Sequence, residues 1–572
     1  MKNLILMFLP IMLSAQVDTV WARKWSSAGT LSDWAYAIAI DDSGFIYVTG
    51  TTENSGTGND WTTIKYTPSG DTLWVRNFVS PGSYNERASC IALGTSGNIY
   101  LTGYTMSSGA GDYLTIKYRP NGDTAWVRRY NGTGNGYDFA HWICVDNQEN
   151  VYVTGYSRGA SYQDDIATVK YDSNGNQLWV SRINGSGNYN DKGHKVIADN
   201  NGYVYVVGYV NPFSSGTRYD YATIKLNAQT GDTVWVRTYN GPADSSDIAR
   251  DIAVDSAGNV YVTGSVRWLG TSTDILTIKY DNSGNLLWTA RYNNPDTSGA
   301  DGGYGIRVDN AGNVYVVGQS QGLGTGSDVV LIKYDSDGNE LWARRYDGPA
   351  HNYDTPSDEV GGKCIAMDQL GNIFIGGTSR SLTEYNDYVA IMYDSDGNQR
   401  WAAMYDFSDS LDYCLAIAVH PNSGDVVVTG RTLSAPSYYD WGTVKFKNLV
   451  GVKEYKTNPA SPLVFEIMPN PFRKSLAIKF QIPNPNDQTN FKSQIPNDSA
   501  IRNPKSEILL SIYDATGRLV KSFNLEPSIK NQVSSITWFR DDNFGFRVPP
   551  GVYFLQLQVG DYRQIEKVVL IE

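Results

Sequence analysis

The sequence predicts an all-β chain: a ring of short four-stranded sheets followed by a small second β domain. Three observations predict it. The chain has 56 Gly, 40 Tyr and 15 Trp against 8 Met, the balance of strands joined by tight turns. One seven-residue string recurs through most of its length. And 572 residues exceed one ordinary domain of roughly 100–200 residues, so repetition or several domains are required. Charged residues make up only 19%, which excludes an acidic disordered chain and a charge-laced coiled coil. The formal net charge of −12 leaves no basic surplus for displacing counterions, so no nucleic-acid partner is expected. Four Cys give no disulfide framework.

Residues 1–15 read as a signal peptide. Lys2 supplies the positive start, Leu4 to Leu13 the apolar run, and Ser14-Ala15 a small-residue cleavage site. The run is too short to span a bilayer, which takes about 20 residues, and no transmembrane span is expected elsewhere.

Residues 16–450 are one unit written eight times. Gly44-Phe-Ile-Tyr-Val-Thr-Gly50 returns at 97–103, 149–155, 202–208, 258–264, 312–318, 371–377 and 424–430, every 52 to 59 residues. A fixed period in this range marks a repeat architecture. Unit one carries four strand-like runs: a, Ala35 to Ile40; b, Phe45 to Thr49; c, Asp60 to Tyr66; d, Leu73 to Phe78. Short Gly-containing loops join a to b and c to d as hairpins. Four antiparallel strands repeated radially make a β-propeller, here with eight blades. Strand c opens at an Asp in every unit, from Asp60 to Asp440. Strand d carries a Trp in each: Trp21, Trp74, Trp126, Trp179, Trp235, Trp288, Trp342 and Trp401. The first of these stands alone before strand a, and the last unit lacks a strand d. The N-terminal strand is therefore expected to complete the last blade and remove two open sheet edges.

These eight Trp are expected to dock one blade on the next, each burying about 150–250 Å². Strand c also carries a Lys in seven units, and strand a ends in an Asp in six, as in Lys65 and Asp41. Lys–Asp pairing is expected, because a buried unpaired charge is costly. Catalytic residues are not singled out. The four His, at 141, 194, 351 and 420, have no metal-ligand spacing, and Gly185-Ser-Gly is loop composition. The turn Asp335-Ser-Asp-Gly-Asn339 is too short for a calcium loop. Cys90, Cys144, Cys364 and Cys414 read as small core residues of strand a. No metal and no cofactor are expected.

Residues 451–462 form a polar linker. Residues 463–572 alternate short strands and turns as a small Ig-like β-sandwich, with a disordered insertion at 483–506 rich in Asn, Pro, Gln and Ser.

The repeated GNVYVTG, TIKY and GNxLW runs resemble the SBBP propeller repeat of bacterial exported proteins, over about residues 17–450. That resemblance implies a fold and little chemistry. The strand d pattern also resembles the tryptophan-docking motif of quinoprotein dehydrogenase propellers, although their adjacent Cys pair is lacking. The tail is similar to the C-terminal sorting domain of type IX secretion cargo, on MPNPF at 468–472, IYDATGR at 512–518, GVYFLQL at 551–557 and KVVLIE at 567–572. It resembles the Ig-like domain of flagellar hook-capping proteins as well. The sorting resemblance implies export through the periplasm, with the secretion apparatus as a partner of the tail and the protein secreted or held at the cell surface.

The expected function is a noncatalytic, monomeric propeller that binds a protein or glycan. The alternative is an exported propeller enzyme, either a glycan hydrolase or lyase or a quinoprotein-like oxidoreductase. The a–b and c–d turns, on one face, are short and monotonous. The b–c and d–a loops, on the other, are long and varied, and variable loops on a rigid scaffold carry function. The candidate binding residues on this long-loop face are Trp268, Arg267, Tyr353, Tyr162, Arg218, Tyr219, Tyr438 and Tyr439, since aromatic and Arg side chains anchor binding surfaces.

Overall fold

The computed structural model describes residues 17–448 apart from 18, 28–31, 55, 81–82, 108–109, 161–162, 213–217, 358–362, 383–384, 408–409 and 436–437. Beyond these it describes 464–468, 476–481, 508–514, 519–525, 533–542, 547–559 and 562–570. The leader at 1–15, the linker at 451–462, the insertion at 483–506 and Tyr162 lie outside the described residues. Contacts divide the chain into two units, Met1–Leu449 and Val450–Glu572.

The first unit is built of four-stranded antiparallel sheets, consistent with a propeller. In the first, Asp33–Ile40, Ile46–Asn54, Gly58–Tyr66 and Thr72–Phe78 pair in chain order. The hairpin between the first two shows why. Asp41 Oδ1 accepts the Ser43 and Phe45 N–H groups at 3.0 and 2.9 Å, Oδ2 accepts the Tyr47 hydroxyl at 2.9 Å, and Gly44 takes φ +82°. An L side chain rarely adopts that conformation, so the recurring Gly is a turn requirement.

The same order repeats along the chain. In the seventh repeat the first strand is split into Asp354–Pro356 and Ile365–Met367, both paired with Ile373–Arg380. In the last sheet, Asp412–Val419, Val426–Ala435 and Tyr438–Phe446 are joined by Thr19–Trp25, with Trp21 opposite Lys445 and Trp25 opposite Trp441. First strands lie side by side from repeat to repeat, and Asp412–Val419 lies beside Asp33–Ile40.

The core is the set of seams between neighbouring sheets. In one seam, Tyr100 and Tyr113 of one sheet pack with Ala140, Val151, Val153 and Ala167 of the next. A Trp clasp recurs along the seams, joined by an Arg in five of them. Trp126 Nε1 donates to Ser173 O at 3.1 Å, its ring covers Gly175, and Arg128 Nε donates to Gly175 O at 2.5 Å. A Cβ on Gly175 would stand 2.8 Å from the indole. Trp21 closes on Pro68 O and Gly70 in the same way, so the N-terminal strand clasps the first sheet.

Strand c lysines differ from the expected pairing. Lys170, Lys279 and Lys333 donate to Ala228, Ser336 and Ser395 carbonyls of the following turn at 2.7–2.8 Å. Lys117 reaches Ser173 O at 3.0 Å, the same oxygen that Trp126 uses, and adds an ion pair to Glu149 at 3.3 Å. The strand a Asp is already occupied by its own turn. A carbonyl left over by a tight turn is the nearer acceptor, and it meets the ammonium without a second buried charge.

In the second unit, Val464–Met468, Leu476–Gln481 and Val533–Trp538 form one sheet, and Leu519–Leu525, Ile508–Asp514, Gly551–Val559 and Tyr562–Leu570 another. Leu476, Ile478 and Trp538 of the first share a core with Leu510, Ile512, Leu555, Leu557 and Val568 of the second.

Candidate functional site

The innermost strands carry the least repetitive chemistry. Each opens with a buried acid that caps the preceding loop: Asp138 Oδ2 accepts Gly132 N at 2.7 Å and Oδ1 accepts Arg158 N at 3.0 Å. Three residues on, a β-bulge interrupts the pairing in seven repeats, at Tyr36, Ser89, His141, His194, Arg250, Tyr304 and Leu415. A bulge re-aims its side chain out of the pleat. The residues before it stay small (Ala35, Ala88, Ala140, Gly193, Ala249, Gly303, Cys414), whereas the bulged residue is Tyr, Ser, His, Arg or Leu.

Bulged side chains of neighbouring repeats meet, His141 with His194 and Arg250 with Tyr304. His141 Nδ1 lies 2.9 Å from Gly193 O, His194 Nδ1 lies 2.8 Å from Ala249 O, and the two rings are 5.9 Å apart. Burial pulls both imidazoles down, His141 to about 4 and His194 to about 3, with Lys192 among the cations that add to it. Guanidinium and ammonium groups sit over aromatic rings nearby: Arg87 over Tyr36 at 3.9 Å, Lys192 over Tyr156 at 4.4 Å and Arg250 over Tyr304 at 4.7 Å. Arg431 is held by three rings, Trp34 at 4.0 Å, Tyr413 at 4.6 Å and Tyr439 at 4.9 Å.

Further along the same strands a polar plug crosses the interior. Lys195 is ion-paired with Asp251, whose other oxygen accepts from Ile306 N at 2.9 Å and Arg307 at 3.2 Å. Lys363 donates to Ser89 O at 2.6 Å, a contact between repeats that are not neighbours. Cys364 is buried beside it, and burial raises its thiol to about 12, an inert form. Cys90, Cys144 and Cys414 are also unpaired.

Of the residues singled out from sequence, Tyr439 enters the Arg431 cluster. Trp268 is half-buried under the Arg291 guanidinium at 4.5 Å, and Arg267 beside it is exposed. Tyr353 is 44% exposed on another loop. Arg218 pairs with Asp244 at 2.6 Å, and Tyr219 lies 4.4 Å from Tyr209. Tyr438 is half-buried. Arg267 with Trp268, Arg218 with Tyr219 and Tyr438 with Tyr439 are chain neighbours, and Tyr353 stands apart from all three pairs. Sequence reading passed over the bulged residues, although their signal was present: the third place after an acid varies while the second stays small. A separate cavity of about 520 Å³ opens on the short-turn face, lined by Asp146, Asn147, Tyr152, Asn200, Tyr203 and Gln229 among others.

Known proteins add the following. The SBBP family, described as a β-propeller repeat, matches residues 28–56 and 234–265. An uncharacterized WD repeat-containing protein of Acanthamoeba polyphaga mimivirus is 29% identical over 152 residues, 24% of this chain and 11% of that protein. Among solved structures, PorZ, a surface component of the type IX secretion system of Porphyromonas gingivalis, aligns with a TM-score of 0.43 at 14% identity. That alignment covers 96% of this chain and 60% of PorZ. Quinohemoprotein alcohol dehydrogenase from Comamonas testosteroni aligns with a TM-score of 0.42 at 12% identity, over 75% of this chain and 76% of the enzyme. The chain thus spans less than two thirds of the mimivirus protein and of PorZ. The recurring four-stranded sheets are consistent with a β-propeller, and two segments of the chain match the SBBP β-propeller repeat.

Proposed function

We propose that the protein is an exported, noncatalytic, eight-bladed β-propeller that binds a protein or glycan partner through its long-loop face. The N-terminal strand closes the ring. The C-terminal domain, an Ig-like sandwich, serves as an address for the secretion apparatus, and the protein acts outside the cell or on its surface. The observation that carries the binding reading is the ring of bulged residues. One position on an otherwise repetitive scaffold varies from repeat to repeat, and it stands among aromatic and cationic side chains. Much of that layer is buried, so the accessible contacts fall to the partly exposed aromatic groups of the long loops, and aromatic and Arg side chains are the usual anchors of recognition. The export reading is supported by the apolar leader and by the sorting motifs of the tail.

The test is a glycan array and a panel of surface proteins from the same cell envelope, probed with three proteins: wild type, the Trp268→Ala/Tyr353→Ala variant and the Arg431→Ala variant. Loss of more than about 1 kcal/mol of binding in either variant, with the ring still folded, is expected. Binding that both variants retain, and that Asn200→Ala with Gln229→Ala abolishes, moves the partner to the short-turn cavity and overturns the assignment of face.

A further inference from the structure

The seam between the sixth and seventh repeats buries more negative charge than its cations offset. Asp328 is the third residue of the strand Gly326–Tyr334, Asp347 follows the fourth strand of the same sheet, and Asp354 opens the next sheet. Their carboxylates offer oxygens that all lie within 4.8 Å of one another. Asp328 and Asp354 are only 2% and 1% exposed.

Asp328 and Asp347 each have one oxygen engaged by the protein, and Asp354 has both. Asp328 Oδ2 accepts Arg345 Nη2 at 2.6 Å and Thr325 Oγ1 at 2.9 Å. Asp347 Oδ2 is 2.6 Å from His351 Nδ1, and Asp354 Oδ2 accepts Gly348 N at 2.6 Å. The Asp354 Oδ1 atom accepts the Ser379 hydroxyl. Asp328 Oδ1 and Asp347 Oδ1 are buried with no donor at all. A buried carboxylate oxygen without a partner carries its full desolvation cost. Arg345 supplies one fixed positive charge against three carboxylates.

The preceding seam repeats the design. Asp274, Asn293 and Asp301 hold the same three places, and one side-chain oxygen of each is again buried without a donor. A third-strand acid with an orphaned Oδ1 recurs at Asp60, Asp165 and Asp220, but among the described residues only these two seams add a second orphaned oxygen just after the fourth strand, at Asn293 and Asp347, and that pairing points to a ligand that brings positive charge and no hydrogen-bond direction.

We propose that Asp328, Asp347 and Asp354 form a Ca²⁺ site that pins the split seventh sheet to the sixth. The donor set is all oxygen, which suits a hard cation, and the one nearby nitrogen, His351 Nδ1, is engaged by Asp347. Carboxylates on a loop and two strands give adaptable geometry, which Ca²⁺ accepts and Mg²⁺, with its rigid octahedron, does not. Bound Ca²⁺ ties the loop that begins at Asp347 to both sheets, and that loop also presents Tyr353.

The experiment is calorimetric titration of the full chain, stripped with chelator, with CaCl₂ and separately with MgCl₂. Thermal unfolding is followed with and without each ion. Wild type is expected to bind Ca²⁺ and to unfold at higher temperature with it, while equal Mg²⁺ has little effect. Asp347→Asn is expected to lose one equivalent of Ca²⁺ and much of the thermal shift, and Asp337→Asn, in an exposed turn, to keep both. Asp328→Asn should match Asp347→Asn if it folds; if it does not, the half-exposed Asp347 decides alone. Absence of Ca²⁺ binding by wild type, or wild-type stoichiometry in Asp347→Asn, overturns the site. So does stabilisation by acid alone with no response to Ca²⁺, since the cluster then shares a proton.

Discussion

His141 and His194 stand with each Nδ1 beside a backbone carbonyl of the following repeat, so each ring has a fixed place in the inner wall. Burial keeps them neutral, with values near 4 and 3 against the usual 6.5. The unfolded chain therefore takes up protons below about pH 6.5 that the folded chain refuses until about pH 4 or lower. Proton uptake on unfolding means that stability is lost as pH falls through that window. His194→Gln removes one of these groups while keeping a polar side chain. Urea unfolding at pH 7 and pH 5 should show wild type losing more stability than the variant, by on the order of 1–2 kcal/mol. Equal losses in both proteins would mean that His194 is protonated in the folded ring. Buried acids such as Asp191 and Asp220, raised to about 6 by desolvation, work in the opposite sense, so the difference between variant and wild type is the informative quantity.

At the scale of the element, Thr19–Trp25 is the fourth strand of a sheet whose other three strands come from the far end of the repeats. It contributes buried Trp21 and the Trp25 ring, which lies 5.3 Å from Trp441. Its Arg23 donates to Gly70 O at 2.7 Å, so the strand also holds the neighbouring sheet. Deleting residues 16–25 should cost several kcal/mol, since loss of one buried Trp alone costs about 3–5 kcal/mol. It also bares the edge of Tyr438–Phe446, and open edges template aggregation. Urea midpoints and light scattering of the deleted chain measure both effects; an unchanged midpoint would mean that the strand is an ornament of the ring.

At the scale of the molecule, the two units have separate cores: the Trp538 and Leu555 cluster on one side of residue 450, the repeated seams on the other. Each core is closed within its own segment, so the first should fold without the second. Truncation after Lys447 is expected to leave a cooperative unfolding transition at the wild-type temperature. In a cell that has the secretion apparatus, the truncated chain should stay in the periplasm. Normal release of the truncate would refute the address role of the tail while leaving the fold untouched.

Local chemistry carried the strands, turns and repeat. Gly at positive φ, Asp caps and alternating apolar residues act within a few positions, so Gly44, Asp41 and the Tyr-Val-Thr run announce a hairpin wherever they occur. The unattached strand at Trp21 was legible too, because a unit without its fourth strand and a fourth strand without its unit can be matched by counting. What counting could not supply is which atoms face each other across a seam. Lys170 is buried and Asp146 half-buried, yet the lysine goes to Ala228 O, because the turn of the next sheet leaves that carbonyl closer. The bulge that turns His141 and His194 inward, and the meeting of Asp328, Asp347 and Asp354 from two sheets, depend on how twisted sheets pack side by side. Sequence spacing encodes contacts along a strand or around a turn; contacts between repeats are set by the radial packing of whole sheets, where residues over 50 positions apart share one oxygen.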